Sequence, residues 1–126
     1  MKIGEDRPEG RNAFTGYGPG WVEVNGARHH SSLVVSGERL VTDWPLASVD
    51  ELAADHLASI LELAPEIVLI GTGTKLRFPE TARLAPLYQA GIGVEVMDTP
   101  AACRTFNILI GEGRRVLAAV IVEDLA

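Results

Sequence analysis

Apolar positions along this chain change period more than once. Trp21–Val24 alternates apolar and polar residues and runs into Asn25-Gly26. That dipeptide favours the two positive-φ positions of a two-residue hairpin turn. The expected partner strand is Arg28–Val35, followed by a turn at Ser36-Gly37-Glu38 and a third strand over Arg39–Trp44. The first third of the chain therefore predicts an antiparallel meander. From Ser48 the spacing becomes helical. Val49, Ala53, Leu57, Ile60, Leu61 and Ala64 fall on one stripe, Ser48 with Glu51 matches a capping box, and Pro65 closes the helix.

Ile67–Ile70 is a continuous apolar run, the pattern of a strand covered on both faces. A Gly71-Thr72-Gly73-Thr74 loop follows. The next helix is expected from about Pro79 to Ala90, with Gly91 as its C-terminal stop. Val94–Met97 predicts a short buried strand. A helix then opens at Thr99-Pro100 and runs to Gly111, with Thr99 as N-cap and Pro100 at the first helical position. Arg115–Val122 is the last strand. The order strand, helix, strand, helix, strand calls for right-handed crossovers, so its first two strands should run parallel as neighbours or near neighbours. The last could run either way. The meander must join this sheet or pack on it to hide its apolar face. Residues 1–13 are charged and polar and are expected to form a loose arm before a single α/β domain over 14–126.

Composition narrows the functional classes. Hydrophobic residues make up 47% of 126, enough for a real core. No apolar run approaches the roughly 20 residues of a membrane helix. The N-terminal MKIGEDRPEG lacks the apolar stretch of a signal peptide, which points to the cytoplasm. One cysteine excludes an internal disulfide. The net charge of −6, from 11 basic and 17 acidic residues, repels phosphate backbones, and no basic patch with interleaved aromatics appears. Nucleic-acid binding is therefore not expected.

Candidate chemistry gathers at two strand-to-helix corners, where α/β proteins place their sites. The Gly71–Thr74 loop follows a buried strand, but it lacks the third glycine of a dinucleotide loop and the Gly-Lys-Ser/Thr of a phosphate-binding loop. It reads either as a tight turn with positive φ at Gly71 or Gly73, or as a ligand-facing loop. At the second corner stand Asp98, Thr99, Cys103, Arg104 and Asn107. Cys103 lies near a helix start beside an arginine, so its thiol is either a lowered-pKa nucleophile or a small buried group. Arg104 is a surface arginine without a role, forms an ion pair with Asp98 or a neighbouring acid, or clamps an anion or partner. His29 and His30 point to opposite faces of a strand and cannot share a metal. No metal-ligand motif occurs, so neither a metal nor a cofactor is expected. Tyr17, Trp21 and Trp44 are the large amphipathic groups of the meander: they read as core or core-edge, or, if partly exposed together, as an interaction patch and the main hint of a binding surface.

The stretch Gly91–Asn107, GIGVEVMDTPAACRTFN, resembles the signature of a small domain-of-unknown-function family, the Mth938-like domain. That family includes the mitochondrial respiratory complex I assembly factor 3 proteins. Supporting pieces are GYGPGWVEVNG (Gly16–Gly26), SSLVVS (Ser31–Ser36), Trp44 and IVLIGTG (Ile67–Gly73). The resemblance implies a three-layer α/β domain with a mixed central sheet, and no established catalytic activity. Two functions follow. One is a non-enzymatic protein-interaction or assembly module with a protein partner. The other is a small-molecule or anion binder, or an enzyme, built on Gly71, Thr72, Gly73, Thr74, Asp98, Thr99, Cys103 and Arg104. A thiol redox role is a third reading and requires an exposed Cys103.

Overall fold

A computed structural model describes residues 11–123. The expected arm over 1–13 lies mostly outside them. Arg11–Ala13 run along the body, with the Asn12 amide donating to the Gly37 carbonyl at 2.8 Å.

Two sheets form. The small one is antiparallel, β1 (Phe14–Gly18), β2 (Trp21–Val24) and β3 (Ala27–His29), in that order. Asn25 (φ 54°) and Gly26 (φ 86°) make the predicted turn between β2 and β3. The large sheet contains β4 (Leu33–Ser36), β5 (Leu40–Val41), β6 (Ile67–Gly71), β7 (Gly93–Met97) and β8 (Val116–Val120). Its order is β5-β4-β8-β6-β7. β6 runs parallel to both β7 and β8, and β4 runs antiparallel to β8, so the central sheet is mixed. The helices are α1 (Ala54–Glu62), α2 (Ala85–Gln89) and α3 (Thr99–Gly111).

The pleat of the central strands sorts the core into two layers. Val34, Val68, Ile70, Leu117 and Ala119 face Leu57, Ile60 and Leu87 of α1 and α2. Leu33, Val35, Leu69, Val116, Ala118 and Val120 face Cys103, Phe106 and Ile110 of α3, together with Phe14, Val22 and Val24 of the small sheet. Alternate residues point to opposite faces of a strand, so a continuous apolar run supplies both layers. The domain is thus three-layered: α1 and α2, the central sheet, then α3 with the small sheet. Phe14 meets Phe106 edge to face at 5.4 Å, locking β1 onto α3.

Several expectations need correction. Phe14–Gly18 is itself a strand. The predicted strand Arg28–Val35 is two strands in different sheets, because buried Ser32 turns the chain between them. Its hydroxyl donates to the Leu46 carbonyl (2.5 Å) and accepts from the Val122 amide (2.9 Å). Arg39–Trp44 contributes only Leu40–Val41, since Asp43 adopts φ 58°. Ser48 caps a 3-10 turn, Val49–Glu51, rather than α1. Glu51 bonds the Ala47 amide, while α1 starts at Ala54 with the His56 ring accepting from the Ala53 amide. The helix expected over 79–90 is a 3-10 turn, Thr81–Leu84, running into α2. Gly91 (φ 76°) does end it, with Gly91 bonding Tyr88 and Ile92 bonding Leu87. Finally β7, expected to be buried, is an edge strand whose Gly93 and Glu95 are exposed.

Candidate functional site

The carboxyl ends of β6, β7 and β8 meet at one edge of the central sheet, because the three strands run parallel. Both predicted corners lie there, and Thr99 ties them together. Its hydroxyl donates to the Ile121 carbonyl after β8 (2.8 Å) and accepts from the Gly73 amide after β6 (2.9 Å). Its own amide donates to the Gly73 carbonyl at 2.8 Å. Thr99 is buried and is the first residue of α3, not its cap. Asp98 is the cap, accepting from the Ala101 amide at 2.8 Å. The cap thus falls one residue before the Thr99 expected from sequence. The carboxylate took the helix end and left the hydroxyl to the core.

Two glycines allow this closeness. A Cβ at Gly71 would lie 3.0 Å from the Thr99 hydroxyl, and one at Gly73 would lie 2.6 Å from the Glu123 carboxyl carbon. Gly73 also has φ +105°. The Gly71–Thr74 loop is held by its own polar groups. Buried Thr72 donates its hydroxyl proton to the Lys75 carbonyl (2.7 Å) and accepts from the Arg77 amide (3.1 Å). The Thr74 amide and hydroxyl both donate to Glu123 Oε1, at 2.8 Å each. These bonds, the backbone one first, hold the Glu123 carboxyl below its ordinary pKa.

The other predicted residues of α3 take structural posts. Cys103 is buried, and burial pushes its thiol up to about 12. A thiol in that state is protonated at neutral pH and does not act as a nucleophile. Asn107 bridges to the small sheet, accepting from the Phe14 amide (2.9 Å) and donating to the Phe14 carbonyl (2.8 Å). Exposed Arg104 donates to the Tyr17 hydroxyl at 2.8 Å and forms no ion pair among the described residues. That bond, first among its causes, raises the guanidinium's pKa further.

Above this corner the β1–β2 turn forms a cavity of about 220 Å³. Gly73, Thr74 and Thr99 contribute to its wall, and most of the rest is apolar: Tyr17, Pro19, Trp21, Val22, Pro100, Ile121 and Val122. The Trp21 ring lies against Gly18, where a Cβ would come within 2.6 Å of it, and the Arg28 guanidinium lies over the ring, 3.8 Å from its centroid. Tyr17 and Trp21 thus line this cavity. Trp44 does not: it is buried, with its indole donating to the His56 carbonyl at 3.2 Å. Glu123 closes the rim, and its neighbour Asp124 lies outside the described residues. The signal for Glu123 was three-dimensional, since it stands 49 residues from the Thr74 it holds. Among the described residues no three His, Cys, Asp or Glu side chains converge to hold a metal. No helix there is long and apolar enough to cross a membrane.

A family model described as "Protein of unknown function (DUF498/DUF598)" matches residues 14–121, which span the whole site up to Ile121. The chain belongs to this family. The "13 kDa major membrane protein" of Francisella tularensis subsp. holarctica is 29% identical over 122 residues, covering 96% of this chain and 99% of that protein. Human NADH dehydrogenase (ubiquinone) 1 alpha subcomplex assembly factor 3 is 41% identical over 83 residues. That match covers 64% of this chain and 45% of the assembly factor, so the chain matches about half the length of that relative. The solution structure of a Bordetella pertussis protein described as a Mth938-like domain superposes with a TM-score of 0.81 and 32% identity. It covers 99% of this chain and 96% of that one. The family, the assembly-factor relatives and the mixed α/β fold implied by the Gly91–Asn107 stretch are therefore all found.

Proposed function

We propose that this chain is a non-enzymatic interaction and assembly module of the cytoplasm, and that it receives an apolar side chain of a protein partner in the cavity between the β1–β2 turn and α3. One observation carries the reading. The polar groups at this corner are already engaged inside the protein, while the cavity walls are aromatic and aliphatic. Thr99, Thr72, Asn107 and Asp98 all serve backbone groups, and Thr74 and Glu123 serve each other. What stays accessible is Tyr17, 38% exposed, with Arg104 beside it and Trp21 partly exposed. Tyr, Trp and Arg around a small apolar pocket make the composition from which interface anchors are drawn. Relatives named as assembly factors support the same reading.

The test is in-cell crosslinking with the wild type, Tyr17→Ala and Arg104→Ala. A stoichiometric protein adduct, lost in Tyr17→Ala and weakened in Arg104→Ala, is expected. An adduct that survives both substitutions places the interface elsewhere. The cavity volume of about 220 Å³ favours a second reading, a small apolar ligand in the same place. A thermal-shift screen of metabolites separates the two: a saturable rise in midpoint with one compound, together with no adduct, would favour the ligand.

A further inference from the structure

A second cavity, of about 330 Å³, lies at the opposite end of the central sheet, where α1 and α3 end and β8 begins. Arg11, Arg114 and Arg115 line it, and Glu38 is the one carboxylate among its described lining residues. With Glu66 standing against Arg114 just outside the wall, three guanidiniums against two carboxylates leave a local balance of +1 in a chain whose net charge is −6. The helix ends account for part of this, since cations are favoured at helix C-termini. Arg115 Nη1 donates to the Ala64 carbonyl beyond α1 (3.0 Å), and Arg11 Nη1 to the Ile110 carbonyl of α3 (3.4 Å).

Two helix ends do not call for three arginines. Arg114 instead meets Glu66 at 3.3 Å, and the other oxygen of Glu66 accepts from the Arg115 amide at 3.1 Å. Each guanidinium has five N–H donors in a planar fork. Among the described residues, each of these three spends one of them on the protein. Gly37 makes room for the arrangement: a Cβ there would lie 3.3 Å from Ile110 Cδ1 and 3.6 Å from Arg11 Cδ. The Arg11 stem passes over this bare backbone to reach the cavity.

We propose that this cavity binds a small polyanion bearing phosphate groups, held between Arg11 on one side and Arg114 and Arg115 on the other. Guanidinium forks match phosphate oxygens in pairs, and a tetrahedral group offers oxygens in several directions at once. A planar carboxylate presents its two oxygens in one plane. The volume suits a small phosphorylated metabolite. The site is independent of the interaction face at the other end of the sheet, so either reading stands or falls alone.

Pyrophosphate titrated into the full chain at constant ionic strength tests the site, followed by amide chemical shifts and calorimetry. Saturable binding is expected, with shifts concentrated at Gly37 and over Gly113–Val116. Arg114→Gln should weaken it about tenfold, the loss of one charge-assisted contact. Arg115→Lys keeps the charge, loses the fork, and should weaken it several-fold. Amide spectra of both variants without ligand show whether they remain folded. No saturable response overturns the proposal, as does unchanged binding in folded Arg114→Gln. Shifts centred on Gly73, Thr74 and Thr99 would also overturn it. Citrate binding as tightly as pyrophosphate would overturn the phosphate assignment.

Discussion

Replacing Thr99 by valine isolates the hydroxyl that joins the three strand ends. Valine keeps the shape and removes one donor and one acceptor. The Gly73 amide and the Ile121 carbonyl then lose a buried partner each. An unsatisfied buried polar group costs about 1–3 kcal/mol, so the pair amounts to about 3 kcal/mol. For a chain of 126 residues, an unfolding entropy of about 2.1 cal/mol/K per residue gives about 0.26 kcal/mol/K. The midpoint should therefore fall by about 12 °C. Thr99→Ser keeps the hydroxyl and deletes one methyl, at about 0.8 kcal/mol, or about 3 °C. Calorimetric melts of the two variants against the wild type decide the matter. If Thr99→Val loses no more than Thr99→Ser, the hydroxyl is not the tie that the geometry implies.

Three further outcomes are expected. Iodoacetamide should label Cys103 at neutral pH only as fast as the chain opens. Burial pushes the folded thiol up to about 12 from an ordinary 9.0, so the unfolded state releases its proton first. Stability should be unaffected by this group below pH 9 and decline by up to about 1.4 kcal/mol per unit above it, a slope that Cys103→Ala removes in pH-dependent urea melts. Asn107→Ala should cost about 2 kcal/mol and speed hydrogen exchange of the Phe14 amide, whereas Asn107→Asp, which cannot donate to the Phe14 carbonyl, should fare no better. Ala64 ends α1 at φ 48°, a conformation that costs a β-carbon about 1–2 kcal/mol. Ala64→Gly should therefore raise stability by about 0.5 kcal/mol in urea unfolding, despite glycine's larger entropy in the unfolded chain.

What was legible in the sequence is what local spacing controls. α3, the Asn25-Gly26 turn, the buried β6 and the stop at Gly91 follow from periodicity and from residues with strong conformational preferences. Choices decided by distant partners were not legible. Ser32 breaks the second predicted strand because its hydroxyl lies between Leu46 and Val122, 14 and 90 residues away. Thr99 gave up the helix cap because Gly73 and Ile121 compete for its hydroxyl. At the site, Gly73, Thr74 and Thr99 do meet at one cavity. Cys103 and Asn107, on the same helix, turn instead toward the core and β1, and the Tyr17–Trp21 turn that closes the cavity arrives from the far end of the chain. Arg114 and Arg115 are adjacent in sequence, but only the fold brings Arg11 to the same cavity.

The most direct test of the interaction reading is a photo-crosslinking amino acid placed at Tyr17, compared with the same probe at exposed Tyr88 on α2. The account predicts one discrete protein adduct from position 17 in cells, absent from position 88 and reduced when Trp21→Ala removes the cavity wall. Equal adducts from both positions, or none from position 17, would contradict it.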